Sequence, residues 1–234
     1  KLRVVPVDGG KAGFSAFRYG PDGRSVYYVS DEEREFLTLR HHDPAGGAPT
    51  LVSGHVPWDV SEIALSDDGK HLAYVTNEDG IGKLRVLSLP GHREIPLPEL
   101  PIGVIGGLGF SPDGQRLALT LNSATSPSDV HVVELGSQRL VQWTASEVGG
   151  LDVTKFRAPT LVRYETFDQV DGKPRTIPAF YYRPAGDGPF PVVINIHGGP
   201  EAQSLPSFNP TVQFMLEEMK VAVLVPNVRG SAGY

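Results

Sequence analysis

The chain has no cysteine. That excludes disulfides, thiolate metal sites and a cysteine nucleophile, although it says nothing about compartment. It has no apolar run of membrane-spanning length, and its first residues, KLRVVPVDGG, lack the apolar core of a signal peptide. Nor is one sign of charge in large excess. Lys and Arg number 21 against 27 Asp and Glu, a net charge of −6, which argues against a broad nucleic-acid footprint. What the chain has in quantity is glycine (27) and proline (21), together about a fifth of its 234 residues, a composition that favours many turns and short strands. The length allows one large or two ordinary domains.

The first two thirds repeat. Phe17-Arg18-Tyr19-Gly20-Pro21-Asp22-Gly23 is echoed by Ile63-Ala64-Leu65-Ser66-Asp67-Asp68-Gly69 and again by Leu108-Gly109-Phe110-Ser111-Pro112-Asp113-Gly114, so the Asp-Gly pairs fall at intervals of 46 and 45. Proline presets the turn, aspartate caps its own backbone and glycine takes the left-handed angle of a tight hairpin. An alternating strand follows each turn: RSVYYVS, HLAYVTN and RLALTLN. Further strands such as DVHVVEL (129–135) and RLVQWT (139–144) make four per unit of about 45 residues, the pattern of a β-propeller blade. Propellers close with about four to eight blades. Three predict that the chain begins partway through a ring.

The rhythm breaks after Trp143. TASEVGGLDVTKFRAPT reads as a connection, and LVRYETF (161–167) and RTIPAFYYRP (175–184) read as a hairpin around DQVDGKP. PVVINI is apolar at consecutive positions, as expected of a strand covered on both faces. Asn209-Pro210 opens a predicted helix, with Phe208, Val212, Met215 and Met219 on its apolar side. VAVLVP (221–226) is a second buried strand. The order predicts a partial β-propeller of about three four-stranded blades over residues 1–150. The connector and the N-terminal portion of an α/β-hydrolase domain then occupy 151–234.

The strand PVVINI ends in His197-Gly198-Gly199-Pro200. At the carboxyl end of a parallel strand, a glycine turn can present backbone N–H groups to a ligand with no Cβ in the way. In α/β-hydrolases such a loop supplies one donor to the oxyanion of acyl transfer. A tight turn with a packed histidine is the structural alternative.

With its Asp-Gly blades, its connector and INIHGGPEAQ…FNPTVQFMLEEMKVAVLVPNVRGSAGY, the chain resembles the prolyl oligopeptidase family of serine peptidases over nearly its whole length. HGGP at 197–200 and NVRGSAGY at 227–234 are the most specific parts, and HGGP is most similar to the acylaminoacyl-peptidase-like members. Prolyl oligopeptidase proper and the dipeptidyl peptidases carry a tyrosine where this chain has His197 and use its hydroxyl as the oxyanion donor. The resemblance therefore implies that the Gly199 N–H, beside Gly198, does that work here. It also implies a serine nucleophile, a histidine base and an orienting aspartate, all beyond Tyr234, so that no catalytic side chain is expected in this chain. His197, Pro200 and Arg229 are expected in the active-site loops, Arg229 either bracing them or forming an ordinary ion pair. Short peptides are the expected substrates, admitted past the propeller, with no cofactor, metal, nucleic acid or membrane partner. A homo-oligomer of the full-length protein stays open. Cytoplasm is the default location; a periplasmic or secreted one stays open because the N-terminus is expected to be missing.

Two alternatives stand beside this: a propeller scaffold for protein binding with a degenerate hydrolase segment, and an esterase. Ser231 in RGSAG imitates a G-x-S-x-G elbow, but Arg229 replaces its first glycine, so Ser231 is expected to be a turn residue. His41-His42-Asp43 sits at a predicted strand end, where adjacent side chains diverge to opposite faces, and is expected in a surface turn rather than at a metal. His55, His71, His92 and His131 share no spacing. Trp58 and Trp143 are expected to pack between blades, and Glu32-Glu33-Arg34-Glu35 to form a solvated hairpin tip.

Overall fold

Each Asp-Gly turn joins the first two strands of a four-stranded antiparallel sheet in the computed structural model, which describes residues 11–199 and 201–234. Residues 1–10, on which the signal-peptide argument rests, and Pro200 lie outside the described residues. The first sheet holds β1 (Phe14–Tyr19), β2 (Val26–Ser30), β3 (Thr38–His42) and β4 (Thr50–Leu51). The second holds β5 (Val60–Leu65), β6 (His71–Glu78), β7 (Ile81–Ser88) and β8 (Arg93–Glu94). The third holds β9 (Gly103–Phe110), β10 (Arg116–Ser123), β11 (Ser126–Glu134) and β12 (Arg139–Gln142). All three run in simple meander order, as propeller blades do.

The turns are built alike. Gly23, Gly69 and Gly114 sit at φ 65°, 68° and 68°, and each donates its amide to the carbonyl three residues back, at 3.0, 2.9 and 2.8 Å. Asp22 accepts from the amides of Arg24 and Ser25, Asp68 from Lys70 and Asp113 from Gln115. The Ser66 hydroxyl and then the Lys70 amide bring the Asp68 carboxyl down to about 2. Side chains from facing sheets fill the seams. Tyr27 and Leu39 of the first blade pack with Ile63 and Tyr74 of the second, and Val75 of the second with Leu117 and Leu119 of the third. Complete burial of such a side chain contributes about 1.5–3 kcal/mol. Glu62 on β5 also reaches the next blade, accepting from the amides of Gly107 and Leu108 at 2.9 and 2.8 Å where β9 bulges.

Three expectations for this region need correction. His41 and His42 stand at the end of strand β3, as expected, but are half-buried in the strand and not in a surface turn, with the His41 ring stacked on Tyr27. Trp143 follows β12 with 61% of its surface exposed, so it does not pack between blades. Glu32 is drawn out of the solvated tip by buried Arg40, which donates to its carboxylate at 3.1 Å. Glu33, Arg34 and Glu35 remain exposed.

A fourth sheet follows the connector, whose one regular element is a 3₁₀ turn at Val153–Lys155. Its strands are β13 (Thr160–Val170), β14 (Lys173–Tyr182), β15 (Val192–Ile194) and β16 (Ala222–Pro226), in the order β13-β14-β16-β15. The β13–β14 strands consume most of DQVDGKP and leave a two-residue turn, Asp171-Gly172, at φ 52° and 75°. The pair β15 and β16 is parallel, and helix α1 (Pro210–Glu217) forms the crossover. Asn209 caps the helix by accepting from the amides of Thr211 and Val212, with Pro210 in the first turn.

The helix buries Val212, Gln213 and Leu216. Met219, expected on that face, lies beyond the helix end and is 55% exposed, while Leu216 takes the deepest position. Val212 and Leu216 pack on Phe180, Tyr182 and Val223. Gln213 joins three elements: its Nε2 donates to Ala124 O of the third blade at 2.8 Å and to Arg157 O at 3.0 Å, and its Oε1 accepts from the Arg157 amide. PVVINI also departs from expectation. Strand β15 lies at the sheet edge, and Val192, Val193 and Ile194 are 52%, 40% and 59% exposed. It pairs with β16 on one side, and among the described residues neither of its apolar faces is covered.

Candidate functional site

Strand β15 delivers the chain into His197-Gly198-Gly199 at its carboxyl end, beside the loop that leaves β16. Among the described residues, the amides of Gly198 and Gly199 donate to no backbone or side-chain acceptor. The two glycines differ in what they require. A Cβ on Gly198 would meet nothing within 4 Å, and its φ is not positive. Gly199 has φ +139°, and a Cβ there would lie 3.0 Å from the amide nitrogens of both Glu201 and Ala202. Only glycine fits at 199 without strain.

His197 fixes the peptide between them. Its Nδ1 lies 3.1 Å from Gly198 O, and its Nε2 lies 2.8 Å from Ser231 Oγ. With Nδ1–H donating to the carbonyl, Nε2 faces the Ser231 hydroxyl, whose single proton is shared between Nε2 and Val228 O. In a planar trans peptide the N–H points opposite to the preceding C=O. Holding Gly198 O therefore aims the Gly199 N–H to the other side. Ser231 is buried at 8% exposure in a turn closed by its own amide on Val228 O at 3.0 Å. Its Oγ also lies 2.7 Å from that carbonyl.

The two loops are sewn together. Asn227, 2% exposed, accepts from the Ser204 amide at 2.7 Å and donates to Ser204 O at 3.1 Å and to Tyr234 Oη at 3.0 Å. The Ala232 amide donates to Ala202 O at 3.0 Å. Trp58, from the segment before β5, meets Tyr234 edge-on at 5.9 Å, so it packs against this loop as well as against Phe36.

Arg229 turns away from the glycines. It pairs with Asp168, donates to Thr166 Oγ1 at 2.9 Å and lies over the Phe167 ring at 5.0 Å, all on β13. Arg175 Nε bonds the same carboxylate at 3.0 Å. The Arg229 guanidinium and then the Thr166 hydroxyl hold the Asp168 carboxyl well below the usual range, and Asp168 in turn raises Arg229. Ser231 was visible in the sequence as part of RGSAG. Asn227 and Asp168 gave no signal there, because each acts through a partner distant in sequence.

Chemically, two adjacent N–H groups on an exposed turn, unpaired among the described residues, can hold an anionic oxygen. Ser231, enclosed by its turn and by His197, cannot be reached by a substrate carbonyl.

No family model matches the chain. It is 29% identical over 114 residues to the uncharacterized peptidase YuxL of Bacillus subtilis (strain 168), a stretch covering 45% of this chain and 17% of that protein. It is similar in fold to a puromycin hydrolase, with TM-score 0.77 and 20% identity over 97% of the chain. It is likewise similar to prolyl endopeptidases, with TM-score 0.72 and 19% identity over 96% of the chain. The chain spans 35% and 32% of those two structures. The chain therefore shares the fold of these prolyl endopeptidase and puromycin hydrolase structures, and its aligned segment is similar to a peptidase sequence.

Proposed function

We propose that this chain is the blade-to-hydrolase junction of a serine peptidase that cleaves short peptides, of the acylaminoacyl- or oligopeptidase type. In this reading the fourth sheet begins an α/β-hydrolase domain, and the amides of Gly198 and Gly199 stabilise the oxyanion of an acyl-enzyme mechanism. The nucleophile, base and orienting aspartate are encoded beyond Tyr234. One observation carries the reading: the Gly199 amide, unpaired among the described residues, stands at the end of a parallel strand in a conformation only glycine tolerates. Arg229 serves from behind, tying the β16 loop to the β13–β14 hairpin through Asp168.

A buried Ser–His contact in the chain itself suggests a second possibility, a nucleophile–base pair of Ser231 and His197. Its third partner is a peptide carbonyl and its hydroxyl is enclosed, so the contact is a brace.

Turnover of an N-acylated aminoacyl amide by the complete protein tests the reading. Gly199→Ala keeps the N–H but, by forcing the backbone away from φ +139°, should turn it off the oxyanion and lower kcat/KM by up to about a hundred- to a thousandfold, the value of one oxyanion donor. Gly198→Ala, with open space for its methyl group, should stay within about threefold. Equal turnover by both variants, or hydrolysis of esters with none of amides, overturns it.

A further inference from the structure

Nine residues after the aspartate of each Asp-Gly turn stands a short polar side chain: Asp31, Asn77 and Asn122. In the first blade, Asp31 stays within its own sheet and accepts from the Gly13 amide at 2.6 Å. In the next two blades the same position reaches outward. Asn77 Nδ2 donates to Gln203 Oε1 at 2.7 Å, and Asn122 Oδ1 accepts from the Phe208 amide at 2.7 Å. Gln203 and Phe208 bracket the segment that joins the His-Gly-Gly turn to helix α1.

We infer that Asn77 and Asn122, one repeat apart, are positioning residues: two clasps by which adjacent blades hold segment 203–208 and thereby set the aim of the amides at 198 and 199. The inference rests on the oxyanion reading above for its consequence, though not for the clasps themselves. Three observations support it. The contacts bridge 126 and 86 residues, so neither arises from local chain geometry. The held segment is short and stiffly coupled to the turn, since Gly199 abuts the amides of Glu201 and Ala202, and Ser204 is gripped by Asn227. The neighbouring residues of the same blade hairpins also engage the elements beyond the connector, Asp79 pairing with Arg163 on β13 and Ala124 O accepting from Gln213 on helix α1. A propeller repeat therefore places a hydrogen-bonding amide at a fixed height on successive blades, and the peptide that follows the glycine turn is laid across both.

The pair at 77 also holds unused capacity. Asn77 Oδ1 and Gln203 Nε2 are buried without a partner among the described residues. The clasp is a single neutral hydrogen bond enclosed by protein, a contact whose removal leaves its partner unsatisfied.

The test uses Asn77→Ala, Asn122→Ala and Asn122→Asp. Hydrogen–deuterium exchange is read on peptides covering 197–208 and on the blade strands. Each alanine variant should speed exchange in 201–208 by on the order of fivefold or more, with β2, β6 and β10 unchanged, and Asn122→Asp, which keeps the acceptor, should restore protection. In the complete protein, the alanine variants should lower kcat several-fold with KM little changed. Unchanged exchange in 197–208, or failure of Asn122→Asp to rescue, overturns the clasps. Faster exchange with wild-type kcat overturns the positioning role. If the unmutated protein hydrolyses no amide, the peptidase reading falls and the exchange data alone judge the clasps.

Discussion

The three blades and the fourth sheet are built by opposite strategies. Each blade is assembled from instructions a few residues long: a turn, its cap and an alternating strand, with the blade's own neighbour supplying the opposite face. The fourth sheet depends on distant partners. Helix α1 is anchored to the third blade through Gln213, the glycine turn is braced by Ser231 from 34 residues away, and β15 keeps two apolar faces uncovered among the described residues. The blades teach that repetition makes a structure locally self-sufficient. The fourth sheet teaches that the glycine turn is held by contacts its own segment does not encode.

The strongest challenge to that contrast lies within the blades. If the turns were purely local, substitution of their glycines would cost the same everywhere. The structure says otherwise. A Cβ on Gly23 would meet nothing within 4 Å, whereas one on Gly69 would fall 2.4 Å from Cβ of Pro21 in the previous blade's turn. Gly23→Ala should cost about 1 kcal/mol from its left-handed backbone alone. Gly69→Ala should add an overpacking cost and reach about 3 kcal/mol. Urea midpoints for the two variants measure the difference, and equal midpoints would mean that the turns of neighbouring blades do not touch.

A middle-sized effect sharpens the other side. Removing the Ser231 hydroxyl leaves His197 Nε2 unpaired and frees the peptide plane between Gly198 and Gly199. Ser231→Ala should lower kcat of the complete protein by about fivefold, the worth of one hydrogen bond, and leave KM unchanged. A change in KM alone would assign Ser231 to substrate binding instead.

What the sequence made legible follows the same line. Interval, turn chemistry and strand alternation located the blade strands, because every term in them is local. The helix cap at Asn209-Pro210 was legible for the same reason. Met219 and PVVINI misled because apolar pattern reports what a residue could bury, and not whether a neighbour is there to cover it. For the glycine turn, residue types suggested the chemistry. Its orienting partners Asn227, Asp168 and the clasping asparagines could not be found, since nothing in a single sequence ties position 77 to 203 or 168 to 229.

The smallest expected effect concerns the seam between the first two blades, where the contrast between local and distant construction is least clear. His41 on β3 stacks on Tyr27 at 4.4 Å, and the Tyr27 hydroxyl bonds His92 Nε2 at 2.9 Å across the seam. Burial pushes both imidazoles below their usual 6.5, partly opposed at His41 by Asp43 and Asp22 and assisted by His42, and it pushes Tyr27 up to about 12. A histidine depressed in the folded state binds protons first when unfolded. Its contribution is therefore complete above about 6.5 and is lost as pH falls from there towards the folded value. The seam should weaken between pH 7.5 and pH 5.5, and His41→Gln together with His92→Gln should flatten that part of the stability curve. Urea midpoints at the two pH values decide it. A slope that survives both substitutions would move the acid sensitivity elsewhere and leave the seam held by its apolar contacts alone.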